Sequence, residues 1–340
     1  LSKKKLAIYT ATGCRGCEHA ILDLHYQVNP LTRGADLCFW PYLLGSKWEE
    51  MQEADVAIFA GALRTEADVE AARRLREKSG LLVALGACAA FGGLPGLINL
   101  AAPEEPGENR AGDTGASALP EAMENVAALP EVAPVDYIVP GCPPPQNFLW
   151  ALMQCLLGQP GLLSRISFAA RRLPEAVAQA VTAGVLPPKG STFAGEKAVC
   201  ASCSRVKEEK RFKAYHRPHL LELDEGLCLL EQGLLCQGLA TREGCGGLCT
   251  GVGLPCRGCF GKAEAIYDPG AKLVSAISST FDSADPEELA NIVKDMVDLK
   301  GTFYRYTAPS QCVLLAKPAR AAEAEPERET EAAAKAEPAA

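Results

Sequence analysis

"DVAIFAGALRTEADVEAARRLREKSGLLVALGAC", Asp55 to Cys88, is the stretch whose reading decides the fold. It opens on one apolar run, "DVAIFAG" (55–61), and closes on another, "LLVAL" (81–85). Between them "RTEADVEAARRLREKSG" carries helix signals: Thr65 and Asp68 form a capping box, and Gly80 supplies a stop. Two short apolar runs joined by a helix read as a βαβ unit. Continuous apolar strands of this kind belong to a parallel sheet covered on both faces. "LAIYT" (6–10) and "VDYIV" (135–139) extend the same pattern in both directions. The expected class is α/β.

Sites in such sheets form outside the carboxyl ends of the strands. Cysteines stand at those ends. Cys14 and Cys17 follow "LAIYT", Cys88 follows "LLVAL" through Gly86 and Ala87, and Cys142 follows "VDYIV" through Pro140 and Gly141. Parallel strands put their carboxyl ends along one edge, so four thiols distant in sequence can meet there. The glycines let backbone approach a bulky inorganic core.

Eight more cysteines lie between residues 197 and 261. They divide into Cys200, Cys203, Cys228 and Cys236, then the compact set Cys245, Cys249, Cys256 and Cys259 in "GCGGLCTGVGLPCRGC" (244–259). Disulfides need an oxidising compartment, and "LSKKKLAIYTATG" has too short an apolar run for a signal peptide. The expected location is cytoplasmic, where paired cysteines favour metal. Zinc and iron–sulfur clusters both accept four thiolates. The first set has one C-x2-C pair and two lone cysteines on separate loops, a spread that suits a larger cubane. A protein with three such clusters and no substrate motif conducts electrons. The competing non-redox reading is a zinc-stabilised interaction module.

Composition excludes other classes. The net charge of −8 argues against a nucleic-acid partner. Residues 79–103 are uncharged but interrupted by glycines and Pro95, so they read as a strand and a tight loop rather than a membrane span. Within them "AAFGGLPGLINL" (89–100) is an apolar patch that marks an expected interface. The hydrophobic share of 48 % is enough for an ordinary core, built mostly from aliphatic side chains because aromatics are only 6 %.

"GCRGCE" (13–18), "GACAAFGGLPGL" (86–97), "PGCPPP" (140–145), "CLLEQGLLCQGLATREGCGGLC" (228–249) and "PCRGCFG" (255–261) together resemble the small subunit of nickel–iron hydrogenases. The similarity is closest to the cytosolic F420-non-reducing (methyl-viologen-reducing) type, and it runs from Leu6 to about Phe281. The resemblance implies a flavodoxin-like doubly wound sheet followed by a smaller irregular iron–sulfur domain. It assigns Cys14, Cys17, Cys88 and Cys142 to a proximal cluster facing the large subunit. It makes Cys200, Cys203, Cys228 and Cys236 the distal ligands, with Cys200 at a position where respiratory relatives use histidine. Cys245, Cys249, Cys256 and Cys259 become the medial ligands, with Cys249 where those relatives carry proline. The implied cofactors are three [4Fe–4S] clusters. The implied partners are a nickel–iron large subunit, a ferredoxin-like or [2Fe–2S] electron-transfer subunit and heterodisulfide reductase. F420-reducing and NAD(P)-linked hydrogenases share the cluster motifs and are the alternative. The sequence departs from the family pattern at Leu239, Gly247 and Ala60, where relatives carry proline, alanine and often glutamate.

The expected organisation is a first domain over 1–182, a Pro/Gly-rich linker over 183–196, a cluster domain over 197–318 and an Ala/Glu/Pro-rich disordered tail over 319–340. Residues 103–118 read as a polar surface insertion. A helix is expected over 285–300, capped by Asp285, with Leu289, Ile292, Val293, Met296 and Val297 as its stripe. Cys38, Cys155 and Cys312 lack partner spacing and read as small core residues. His216 and His219 are not needed as ligands, "KEEKRFK" (207–213) reads as a solvated face, and "CLLEQGLLC" (228–236) as local core rather than a partner helix. Glu18 has two open readings: proton movement at the subunit interface, as the resemblance implies, or a carboxylate favoured by a helix start.

Overall fold

Alternate residues of each central strand go to opposite faces of the sheet, and that period builds two cores. The structure, a computed structural model, describes residues 3–24, 34–101, 120, 122–157, 175–183, 185–208, 212–283, 285–296 and 298–315. Its strands are β1 (Lys4–Thr10), β2 (Ala35–Phe39), β3 (Ala54–Ala60), β4 (Leu63–Thr65), β5 (Ser79–Leu85), β6 (Ala122–Ala127), β7 (Tyr137–Val139) and β8 (Ser191–Thr192). Six of them form one sheet in the order β2-β1-β3-β5-β7-β8, and every neighbouring pair is parallel. β4 and β6 make a separate antiparallel pair. The strand order reverses at β1, which is the switch point of a doubly wound flavodoxin-like sheet.

On one face Leu6, Ile8, Val56, Ile58, Val83 and Leu85 share a core with Ala20 and Ile21 of α1 (Gly16–Leu22). The helices Gln146–Leu157 and Glu175–Ala183 close that face with Phe148, Leu149, Val177 and Val181. On the other face Ala7, Ala57, Phe59, Leu82 and Ala84 pack with Val69, Ala72 and Leu75 of the helix Glu66–Lys78. The sequence shows four of the strands, β1, β3, β5 and β7, as apolar runs. It misses β2, β4, β6 and β8, which are short or carry charges. β8 lies within the Pro/Gly-rich stretch read as a connector, and Phe193 just after it is fully buried.

The capping box forms as expected. The Thr65 side chain accepts from the Asp68 N–H at 3.2 Å, and Asp68 accepts from the Thr65 N–H at 3.0 Å. Such a cap contributes about 1 kcal/mol. Gly80 does not act as the stop. The backbone is already extended at Ser79, and Gly80 lies inside β5. A Cβ there would sit 3.1 Å from the Asp55 carbonyl oxygen, so the glycine serves close strand approach.

Beyond β8 the described chain is turns and short helices around small cores. "CLLEQGLLC" forms no helix; Leu229, Leu230 and Leu234 are buried with Val199, Cys236 and Cys256. The helix expected over 285–300 runs only over Pro286–Asp295. Asp285 caps it, accepting from the Glu287 N–H at 2.9 Å. Asp298, at φ 50°, turns the chain out of line and caps the next short helix, Leu299–Phe303. Met296 is buried. The other stripe side chains, the insertion at 103–118 and the tail from 319 lie outside the described residues.

The apolar stretch 89–100 is not left open to a partner throughout, as the sequence reading expects. A Cβ on Gly92 would lie 2.2 Å from Pro309 Cγ, and one on Gly96 2.4 Å from it. The carboxyl-terminal turn of this same chain therefore covers that part, while Leu94 remains 46 % exposed.

Asp136 ties the sheet to its surroundings. It accepts from Arg76 at 2.6 Å, from Lys189 at 2.7 Å and from the Leu82 N–H at 2.8 Å. Burial works to raise its carboxyl pKa, but hydrogen bonds from Lys189, Arg76 and Leu82 more than reverse this and hold it below the ordinary value. A depressed carboxylate stabilises the fold above its unfolded pKa near 4, and the contribution is lost as pH falls through the folded value. Asp136→Ala is predicted to cost about 2 kcal/mol at pH 7, because it leaves the buried Leu82 N–H without its acceptor and removes the Arg76 pair, while the exposed Lys189 returns to solvent. Urea unfolding at pH 7 and again below pH 4 checks this. The gap between wild type and variant should shrink in acid, and equal stability at pH 7 would contradict the assignment.

Candidate metal centres

The loop after β1 turns sharply at Arg15, a non-glycine residue at φ 60°. That left-handed backbone is costly for such a residue and is held by its contacts. The Arg15 guanidinium lies 3.6 Å from Glu18 and 4.6 Å from the centre of the Tyr42 ring. Glu18 is 1 % exposed and accepts from Trp40 Nε1 at 2.8 Å. It is thus buried at the start of α1, beside Cys17.

Cys14, Cys17, Cys88 and Cys142 come together beyond the ends of β1, β5 and β7. Burial pushes the Cys17 thiol up strongly, and Cys88, Cys142, Cys14 and Glu18 add to the push. Burial, then Cys142 and Cys14, raises Cys88 to about 11. Cys142 is raised by burial and by Cys14, and the Tyr306 hydroxyl partly offsets this. Glycines clear the space. A Cβ on Gly86, at φ +85°, would stand 2.3 Å from Cys17 Sγ, and one on Gly93 2.4 Å from Cys88 Sγ.

The second gathering is Cys200, Cys203, Cys228 and Cys236. Burial pushes Cys200 up to about 12, with Cys236, Cys228 and Cys203 contributing. Burial also raises Cys236, against hydrogen bonds from the Gly238 and Cys256 N–H groups. The third is Cys245, Cys249, Cys256 and Cys259. Burial raises Cys259 strongly, followed by Cys256, Cys245, Cys142 and Cys249. Cys256 rises to about 12 from burial, against the Thr241 hydroxyl, with Cys236 and Cys245 adding to the rise.

The three gatherings adjoin. Cys259 of the third feels Cys142 of the first. Cys256 of the third feels Cys236 of the second, and the Cys256 N–H donates to Cys236 Sγ at 3.3 Å. Tyr306 stands at the first of these junctions: burial, then Cys142 and Cys259, pushes its hydroxyl up to about 12.

Such donor sets fit a cationic group bound through sulfur. Thiolates packed together raise one another's pKa, and positive charge among them reverses that. Among the described residues, no group of three or more His, Cys, Asp or Glu forms a single-ion site. Of the remaining sequence candidates, His216 and His219 are exposed. Cys155 and Cys312 are buried, and Cys38 donates to the Leu6 carbonyl at 3.5 Å. Within "KEEKRFK", residues 209–211 lie outside the described residues, and Phe212 is buried against Phe281 rather than solvated. Sequence reading missed Thr241, Thr250 and Tyr306 as neighbours of the thiols. Thr241 and Thr250 sit inside the cysteine motifs without a spacing that marks them, and Tyr306 lies far beyond the motifs.

A family model described as NADH ubiquinone oxidoreductase, 20 Kd subunit, matches residues 14–156. One subunit of the F420-non-reducing hydrogenase of Methanothermobacter thermautotrophicus is 32 % identical over 326 residues, covering 92 % of this chain and 96 % of that one. The iron-sulfur subunit of the F420-non-reducing hydrogenase of Archaeoglobus profundus is 31 % identical over 340 residues, covering 91 % and 97 %. Among solved structures, the actinobacterial-type NiFe-hydrogenase from Ralstonia eutropha H16 aligns with a TM-score of 0.45 at 19 % identity, over 94 % of this chain and 93 % of that one. The chain belongs to the nickel–iron hydrogenase small-subunit family. It is a subunit of an oxidoreductase, and its family carries iron–sulfur clusters and pairs with a large subunit. No helix among the described residues is long and apolar enough to cross a membrane.

Gly86→Ala places a methyl group against Cys17 Sγ on a backbone that disfavours any side chain. The variant is predicted to bind less metal than wild type, read by metal analysis with circular dichroism as the folding control. Wild-type metal content in a folded variant would contradict the clearance argument.

Proposed function

We propose that this chain relays electrons between the H2 site of a nickel–iron large subunit and an external acceptor through three [4Fe–4S] clusters. Cys14, Cys17, Cys88 and Cys142 hold the proximal one. Cys245, Cys249, Cys256 and Cys259 hold the medial one, and Cys200, Cys203, Cys228 and Cys236 the distal one. The observation that carries this reading is the electrostatic adjacency of the thiols: among the described residues the third set neighbours both others, Cys259 feeling the charge of Cys142 and Cys256 that of Cys236, whose Sγ accepts the Cys256 N–H at 3.3 Å. Each bound cluster supplies one-electron chemistry.

The chain's own residues set the environment. Cys236 and Cys256 are each 8 % exposed, which keeps water from the junction of the medial and distal sets. The Cys256 N–H donates to Cys236 Sγ there at 3.3 Å, and a hydrogen bond to a ligand sulfur raises a cluster's potential. The relatives spanning nine-tenths of the chain are subunits of F420-non-reducing hydrogenases. Their names favour that class over an F420-reducing one. The acceptor in this reading is heterodisulfide reductase, reached through a ferredoxin-like or [2Fe–2S] subunit in the cytoplasm.

Anaerobically purified complex should hold about twelve iron and about twelve sulfide for each copy of this chain, besides the iron of its partners. Its broad absorption near the blue end should bleach under H2. Zinc in these sites with negligible sulfide, or absorption indifferent to H2, would overturn the reading.

A further inference from the structure

Thr250 belongs by sequence to the compact third set, one residue after Cys249, yet its hydroxyl faces the second set. It is 3 % exposed, and Cys203 Sγ donates to its Oγ1 at 3.3 Å. Thr250 Oγ1 itself donates to the Gly247 carbonyl at 3.0 Å. The residue is held from behind. Arg205 Nε donates to the Thr250 carbonyl at 2.7 Å, while Arg205 Nη1 donates to the carbonyls of Asp224 and Leu227 at 2.8 and 2.9 Å. One guanidinium thus fastens the third-set loop to the segment leading into Cys228. Gly247, at φ +68°, gives the hydroxyl its room, since a Cβ there would lie 2.9 Å from Thr250 Oγ1.

A metal-bound thiolate has no proton to donate. Sulfur and hydroxyl oxygen at this separation would then both be acceptors, and only the hydroxyl proton can bridge them. The hydroxyl is free to turn. The Gly247 carbonyl also accepts the Gly251 N–H at 2.8 Å, so it keeps a partner when Thr250 swings away. We propose that Thr250 is a positioning residue of the distal centre, donating its hydroxyl proton to the Cys203 thiolate and so raising that centre's reduction potential. The inference rests on the reading of Cys200, Cys203, Cys228 and Cys236 as ligands of a redox centre. A hydrogen bond to a ligand sulfur favours the more negative, reduced form.

The test is potentiometric EPR on the assembled hydrogenase with Thr250→Val, Thr250→Ala and Thr250→Ser. The two variants without a hydroxyl should lower the reduced-to-oxidised ratio of the distal centre about tenfold at fixed ambient potential, equal to roughly 59 mV for a one-electron couple. Thr250→Ser should restore the wild-type value, which a merely structural role for the side chain would not require. The other two centres should titrate unchanged. An unshifted distal potential in either hydroxyl-free variant overturns the Thr250 proposal while leaving the ligand reading intact. A wild-type protein with no redox-active signal that depends on Cys203 overturns the ligand reading itself.

Discussion

Thiolates crowded into one volume repel each other, and this fold is arranged to hold them there. Thiols set deep among their set-mates are pushed toward the neutral form, first by loss of solvent and then by neighbouring sulfur, as at Cys17 and Cys259. Left alone, such a gathering would protonate. Loaded with cationic iron, the same burial and the same repulsion become reasons to retain the metal. The sheet supplies the rigidity this needs. β1, β5 and β7 end at a common edge, their cores on both faces are buried, and the first thiol set follows directly on those ends.

The second and third sets have no sheet to stand on. Their loops are held by side-chain clamps instead. Arg205 draws three carbonyls together, and Gln237 donates to the Thr302 carbonyl, linking the cysteine loops to the helical turns that follow. The end of the described chain then returns to the part that carries the sheet. Pro309 packs on Gly92 and Gly96, Ser310 donates to the Phe91 carbonyl at 3.3 Å, and Phe260 meets Phe148 edge to face. The junction between Cys142 and Cys259 lies within this seam, with Tyr306 beside it. Packing between the two halves therefore also sets the distance between the thiol sets.

The parts legible in the sequence were those written in local pattern. The βαβ core around Asp55–Cys88 follows from two apolar runs and a capping box, and the strand-end cysteines follow from parallel topology. The twelve cysteines also fall into their three gatherings by order and spacing. What stayed hidden depends on tertiary context. Gly80 looks like a helix stop, but the strand pairing with β3 claims it. Ser191–Thr192 has no strand signal and is a strand only because β7 offers an open edge. Residues 89–100 look like an outward patch until Pro309 arrives from more than two hundred residues away. Thr250 carries no mark in its motif, because its hydroxyl matters to a cysteine from a different loop.

The central claim is that the thiol sets act in series, with the set containing Cys200 at the exit. Replacing Cys200 by serine in the assembled complex separates the two ends of that path. Hydrogen–deuterium exchange at the large subunit is expected to persist near the wild-type rate while H2-dependent reduction of the physiological acceptor is lost. Loss of exchange in a variant that keeps its large subunit and its remaining iron would contradict the series order.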